Sequence, residues 1–71
     1  MLVKVEDFLL KEVQMVEFAV ANFVQLEHHL KQANQHFSVP MRILAHHRSR
    51  FIEVWSNDGQ LLVARYTPSD N

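Results

Sequence analysis

The stretch AHHRSRF, residues 45 to 51, sets His46, His47, Arg48 and Arg50 beside the ring of Phe51 in a chain whose formal net charge is -1. Three kinds of chemistry are open to such a cluster: binding of an anion by the arginines, ligation of a metal by imidazole, and proton transfer to or from Ser49. Metal ligation needs several donors converging on one point. His46 and His47 on a strand point to opposite faces, and His28 and His29 on a helix stand about 100° apart, so neither pair closes on one ion. His29 and His36 share a helical face but lie about 10 Å apart along its axis. No metal site is expected, and no cofactor.

Catalysis is no better supported. Ser49 has histidines near it in sequence but no identifiable carboxylate to orient them, and there is no glycine-rich phosphate loop. Glu12 and Glu17 do not stand together on a helix, and Glu53 reads as the cross-strand partner of a basic residue. The expectation is a protein that is not an enzyme. Anion binding remains: Arg48 and Arg50 could meet acidic groups of a protein, or phosphates, while Phe51 and Trp55 on the same sheet face stack against side chains or bases. Against nucleic acid stand the sequence pI near 6.5 and the lack of a nucleic-acid-binding signature. The solvated alternative is that arginines at a strand end simply discourage edge pairing.

The elements that must position these residues follow from periodicity. Leu2, Leu9, Val16, Phe23 and Leu30 recur at a step of seven, and no Pro or Gly falls between Asp7 and His36. That spacing predicts a long helix from about Asp7, its N-cap, to His36, with Leu2 to Val5 readable as a short extra strand. The apolar arc of such a helix spans roughly 220° against the ~100° of an ordinary surface helix. Its flanks, Phe8, Met15, Leu10 and Val24, are the expected dimer interface, and Phe18 interrupts the polar face as a further partner anchor. Glu12 lies awkwardly on the apolar stripe.

Ser38-Val39-Pro40 ends the helix. Met41 to His47, Phe51 to Ser56 and Leu61 to Thr67 then read as strands, with Arg48-Ser49-Arg50 as one turn and Asn57-Asp58-Gly59 as another. A three-residue loop there sets Trp55 opposite Leu61, Val54 opposite Leu62 and Ile52 opposite Ala64. One face then carries Ile52, Val54, Leu62 and Ala64; the other carries Phe51, Glu53, Trp55, Leu61, Val63 and Arg65.

Length and composition bound the rest. With 71 residues, 48% of them apolar, and no cysteine, the chain has room for one core and no disulfide to reinforce it. No secretory leader or membrane-spanning run is evident, so a cytoplasmic location is expected. The expected fold is α+β: one long N-terminal helix packed on a three-stranded antiparallel β-meander, as a single domain over residues 1–67 with a frayed tail at 68–71. The expected function is a homodimeric, non-enzymatic protein-binding module that regulates or inhibits a larger partner through Arg48, Arg50, Phe51, Trp55 and Phe18. Single-stranded nucleic-acid binding and a self-assembling structural subunit are the alternatives.

Overall fold

Val3 and Val5 alternate with Lys4 and Glu6, and Val13 and Met15 with Glu12 and Gln14, and apolar side chains at every second position, most of them β-branched, favour a pleated surface over a helix. In the computed structural model, which describes residues 1–69, this alternation prevails over the seven-residue spacing. The chain runs β1 (Leu2–Asp7), β2 (Glu12–Glu17), α1 (Phe23–Asn34), β3 (Arg42–His46), β4 (Phe51–Trp55) and β5 (Leu62–Pro68). The five strands form one antiparallel sheet in the order β2-β1-β5-β4-β3. The expected long helix on a three-stranded meander is thereby overturned: its first half is a hairpin, and the helix keeps only 12 residues.

The hairpin turns where a helix start was expected. Asp7 does cap backbone N–H groups, but its Oδ1 accepts from Leu9 and Leu10 at 3.0 Å each, closing a four-residue loop rather than opening a helix. Lys11, at φ 56, takes the left-handed position of that loop. Val3 then stands directly opposite Val16. Glu12, awkward on a helix stripe, is an exposed residue at the start of β2.

The true helix begins at Asn22. Its side chain accepts from the Gln25 N–H at 2.9 Å, and Gln25 Oε1 accepts from the Ala21 N–H at 2.8 Å, a reciprocal arrangement close to a capping box. Phe23, Leu26 and Leu30 are the buried side of α1 and meet Val3 and Ile52 in the core, with Val5, Phe18, Ile43, Ala45 and Tyr66 packed around them. Because β2 and β3 are the two edges of the sheet, the segment joining them must traverse its full width. Four inter-strand gaps amount to about 19 Å. A helix of 12 residues spans about 18 Å, close to that distance.

The β4–β5 hairpin departs from its expected register and still keeps its faces. Ser56 N–H bonds Leu61 O at 2.8 Å, so the loop is Asn57 to Gln60, one residue longer than expected. A bulge at Val54/Trp55 adds a second slip, giving Trp55 opposite Leu62, Val54 opposite Ala64 and Ile52 opposite Tyr66. Two single-residue slips sum to two, which restores the inward and outward alternation. Ile52, Val54 and Ala64 are accordingly buried beneath the helix layer.

The expected tail also contracts. Pro68 belongs to β5 opposite Val3, and Ser69 N–H donates to Leu2 O at 2.9 Å; Asp70 and Asn71 lie outside the described residues. Asn22→Ala removes one cap bond and is expected to lower stability by about 1 kcal/mol, a fall of about 4 to 8 °C in Tm. Lys11→Gly relieves a residue held at φ 56 and is expected to raise stability by about 0.5 kcal/mol. Thermal unfolding of both variants checks the pair of opposite signs.

Candidate functional site

A five-stranded sheet with one helix has one face without a second layer. The strand registers bring to that face Lys4 and Glu6 from β1, Val13 and Met15 from β2, Arg42, Leu44 and His46 from β3, Phe51, Glu53 and Trp55 from β4, and Arg65 from β5. Its centre is a row of stacked groups. The Arg65 guanidinium lies 5.3 Å from the Phe8 ring centroid and 5.9 Å from that of Phe51. The Phe51 ring in turn stacks on His46, centroids 4.4 Å apart and planes 23° from parallel.

Carboxylates hold the row in place. Glu53 Oε1 is 2.8 Å from His46 Nε2 and accepts from Trp55 Nε1 at 3.4 Å, so one acid orients both rings. Glu53 thus does serve a basic residue across the sheet. Glu6 Oε1 stands 3.7 Å from Arg65 Nε, too far for a hydrogen bond, and Arg65 Nε is a buried donor with no acceptor among the described residues. Beside the row, Trp55, Arg42, Ile43, Leu44 and Gly59 line a shallow depression of about 370 Å³. Arg42 Nε donates to Asn57 O at 2.6 Å, and its guanidinium lies 3.4 Å from where a Gly59 side chain would begin.

The opening stretch now resolves. His46 and His47 do face opposite ways: His46 belongs to the open face, whereas His47 begins the four-residue turn and reaches the helix. His47 Nε2 is 3.0 Å from Glu27 Oε1, and its ring meets Phe23 edge-on at 5.3 Å. Arg48 and Arg50 are exposed in the same turn, which therefore carries positive charge at one end of the stacked row. Among the described residues no group of three His, Cys, Asp or Glu is placed to hold a metal ion.

The expected site residues divide. Phe51 and Trp55 share the open face at the two ends of β4, and Arg48 and Arg50 lie in the turn that precedes Phe51. Phe18 does not join them: it packs edge-on against His29 at 5.5 Å and Tyr66 at 6.1 Å, on the helix side of the sheet. It was expected on a polar helix face, but no helix exists there. The dimer residues no longer form one surface either. Phe8 lies against Arg65, Leu10 is exposed in the β1–β2 loop, Met15 is on β2, and Val24 is on the solvent side of α1. Phe8 and His46 were missed as members of the row. Phe8 becomes legible only once residues 2 to 17 are paired as strands, because its N–H then extends the ladder to Val63 O at 2.9 Å.

No family model, curated protein or solved structure matches this chain. Among the described residues no helix is long and apolar enough to cross a membrane.

Glu27 joins turn and helix and gives a pH test. The Lys31 ammonium, bonded to it at 2.7 Å, and the neighbouring His47 hold its carboxyl below the usual carboxylate range, overcoming the opposing effect of burial. A depressed folded pKa means the pair stabilises fully above the unfolded pKa and loses that contribution as pH falls through the folded one. Glu27→Gln is expected to lower stability at neutral pH by about 0.5 kcal/mol. The gap between variant and parent should close in acid, as urea titrations at several pH values would show.

Proposed function

We propose that this protein is a non-catalytic binding module that docks an acidic protein partner on the open face of its sheet, regulating that partner by occupying its surface. The observation that carries this reading is the row Phe8, Arg65, Phe51 and His46, with Trp55 beside it, on a face that no element among the described residues covers. Aromatic and arginine side chains held by packing lose little entropy on binding, which is why they anchor interfaces. Of the acids on this face, Glu53 is engaged with His46 and Trp55, Glu6 faces the Arg65 guanidinium, and Glu17 bonds the Met1 ammonium. Arg42, Arg48, Arg50 and Lys4 supply the field that a partner would meet, which favours acidic groups.

The stacking also supports a protein over single-stranded nucleic acid. His46 approaches Phe51 from β3 and Arg65 approaches it from β5, on opposite sides of β4. Both flanks of the ring that a base would need are thus occupied from within the protein.

Affinity capture with the parent chain and three variants tests the reading. Trp55→Ala is expected to weaken capture by more than about tenfold, as loss of a central anchor does. Charge reversal at Arg48 and Arg50 together should weaken it in a salt-dependent way, whereas Val24→Asp on the helix should leave it unchanged. Captured material absorbing at 260 nm and released by salt would favour nucleic acid instead. Capture insensitive to Trp55→Ala and to the arginine reversals would remove this face from the account.

A further inference from the structure

The two edges of the sheet are not alike. β3 is preceded by Pro40, and both the N–H and the C=O of Met41 are taken by the Asn34 side chain, at 2.9 and 2.7 Å. That end of the edge is closed to another strand. β2 has no Pro, no bulge in its register with β1 and no lysine within it, and its only charged residues, Glu12 and Glu17, stand at its two ends. Five of its six residues are exposed, including Val13 at 64% and Met15 at 51%. Among the described residues, the helix layer leaves this strand largely uncovered on one face, the open side leaves it uncovered on the other, and nothing pairs with its outer edge.

The hydrogen-bond pattern states which residues an added strand would meet. Met1 and Phe18 exchange both backbone bonds, at 2.7 and 2.8 Å. Alternation along the ladder then turns Val16, Gln14 and Glu12 toward β1, and turns the N–H and C=O of Glu17, Met15 and Val13 outward. We infer that β2 pairs with β2 of a second copy of this chain, antiparallel about a two-fold axis, joining two sheets into one of ten strands. Only registers that match outward residues with outward residues close the ladder. Of these, the one with Val13 opposite Met15 of the second copy also sets Lys11 of each copy opposite Glu17 of the other.

Charge complementarity thus selects one register. A pairing of Met15 with Met15 would instead place Glu17 against Val13 and leave Lys11 beyond the ladder. The chosen register clusters the Val13 and Met15 side chains of both copies on the open face, with an ion pair at either end and Gln14 opposite Gln14 on the other face. Glu17 already bonds the Met1 ammonium at 2.7 Å, yet its side chain is 72% exposed and has oxygen to share. Because the axis stands perpendicular to the sheet, the open faces of both copies lie on one side. The two Arg65 rows are then five strand spacings, about 24 Å, apart. This dimer uses a surface separate from the β3–β4 docking end and stands independently of the partner proposed there.

Light scattering on a size-exclusion column over a concentration series tests it. The parent should pass from the 8.4 kDa chain mass toward twice that value as concentration rises. Met15→Pro deletes an outward-facing N–H without removing a bond to β1, and is expected to leave a folded protein at the monomer mass throughout. Glu17→Lys should weaken association at least tenfold, and Lys11→Glu combined with Glu17→Lys should restore it. A parent that is monomeric at every concentration overturns the inference. So does a dimer that persists in Met15→Pro, and failure of the charge exchange to restore pairing overturns the register.

Discussion

Everything in this structure depends on β5 lying between β1 and β4. A two-stranded hairpin is at best marginally stable in water, and the β1–β2 hairpin has no claim to be an exception. Its attachment to the rest of the sheet is the ladder from β1 to β5, which joins residues 3 to 7 with residues 64 to 68. Those contacts span nearly the whole chain, so the entropy of bringing its ends together is incurred before the sheet can be completed. Once β5 is seated, Val3 faces the core beside Ile52, and α1 has a continuous surface on which to bury Phe23, Leu26 and Leu30.

The same strand organises the open face. Arg65 projects from the centre of the sheet, within reach of Phe8 at the end of β1 and Phe51 on β4, neither of which is near it in sequence. Its guanidinium sits between rings supplied by the two strands that flank β5. The stacked row is thus a direct product of strand order, and the acids Glu6 and Glu53 face the same groups from those same two strands. Layering does the rest: one helix of 12 residues covers one side, and the other side keeps its aromatic and charged side chains open to a partner.

Legibility in the sequence followed the turn chemistry. The second half of the chain was readable because Pro40, the Arg48–Arg50 segment and Gly59 punctuate it, and the mixed face of Phe51, Glu53, Trp55 and Arg65 followed from alternation alone. That face survived a wrong register because the longer loop and the bulge each moved the pairing by one residue. The first half was misread as helix because its turn contains no Gly, Pro or Asn. Lys11 occupies the left-handed position that such residues usually mark, and Leu9 and Leu10 fill a loop that apolar residues rarely occupy. A step of seven apolar residues then ran unbroken through a hairpin. The Asn22 cap with Gln25 three residues later marks the true helix start, a signal overshadowed by Asp7, whose chemically similar cap belongs to a turn.

The pairing of β1 with β5 has one further consequence. Leu2 and Ser69 are hydrogen-bonded neighbours, so the first and last described residues emerge side by side from adjacent antiparallel strands. Topologically the described elements form a ring in which the outer ends of β1 and β5 are neighbours. A short bridge from residue 69 to residue 1, with the chain opened in the exposed turn at Ser49, would give a circularly permuted protein running β4, β5, β1, β2, α1, β3. Every strand neighbour and every core contact would be kept. The fold is in this sense defined by its closed order of elements rather than by where along that order the polypeptide happens to start.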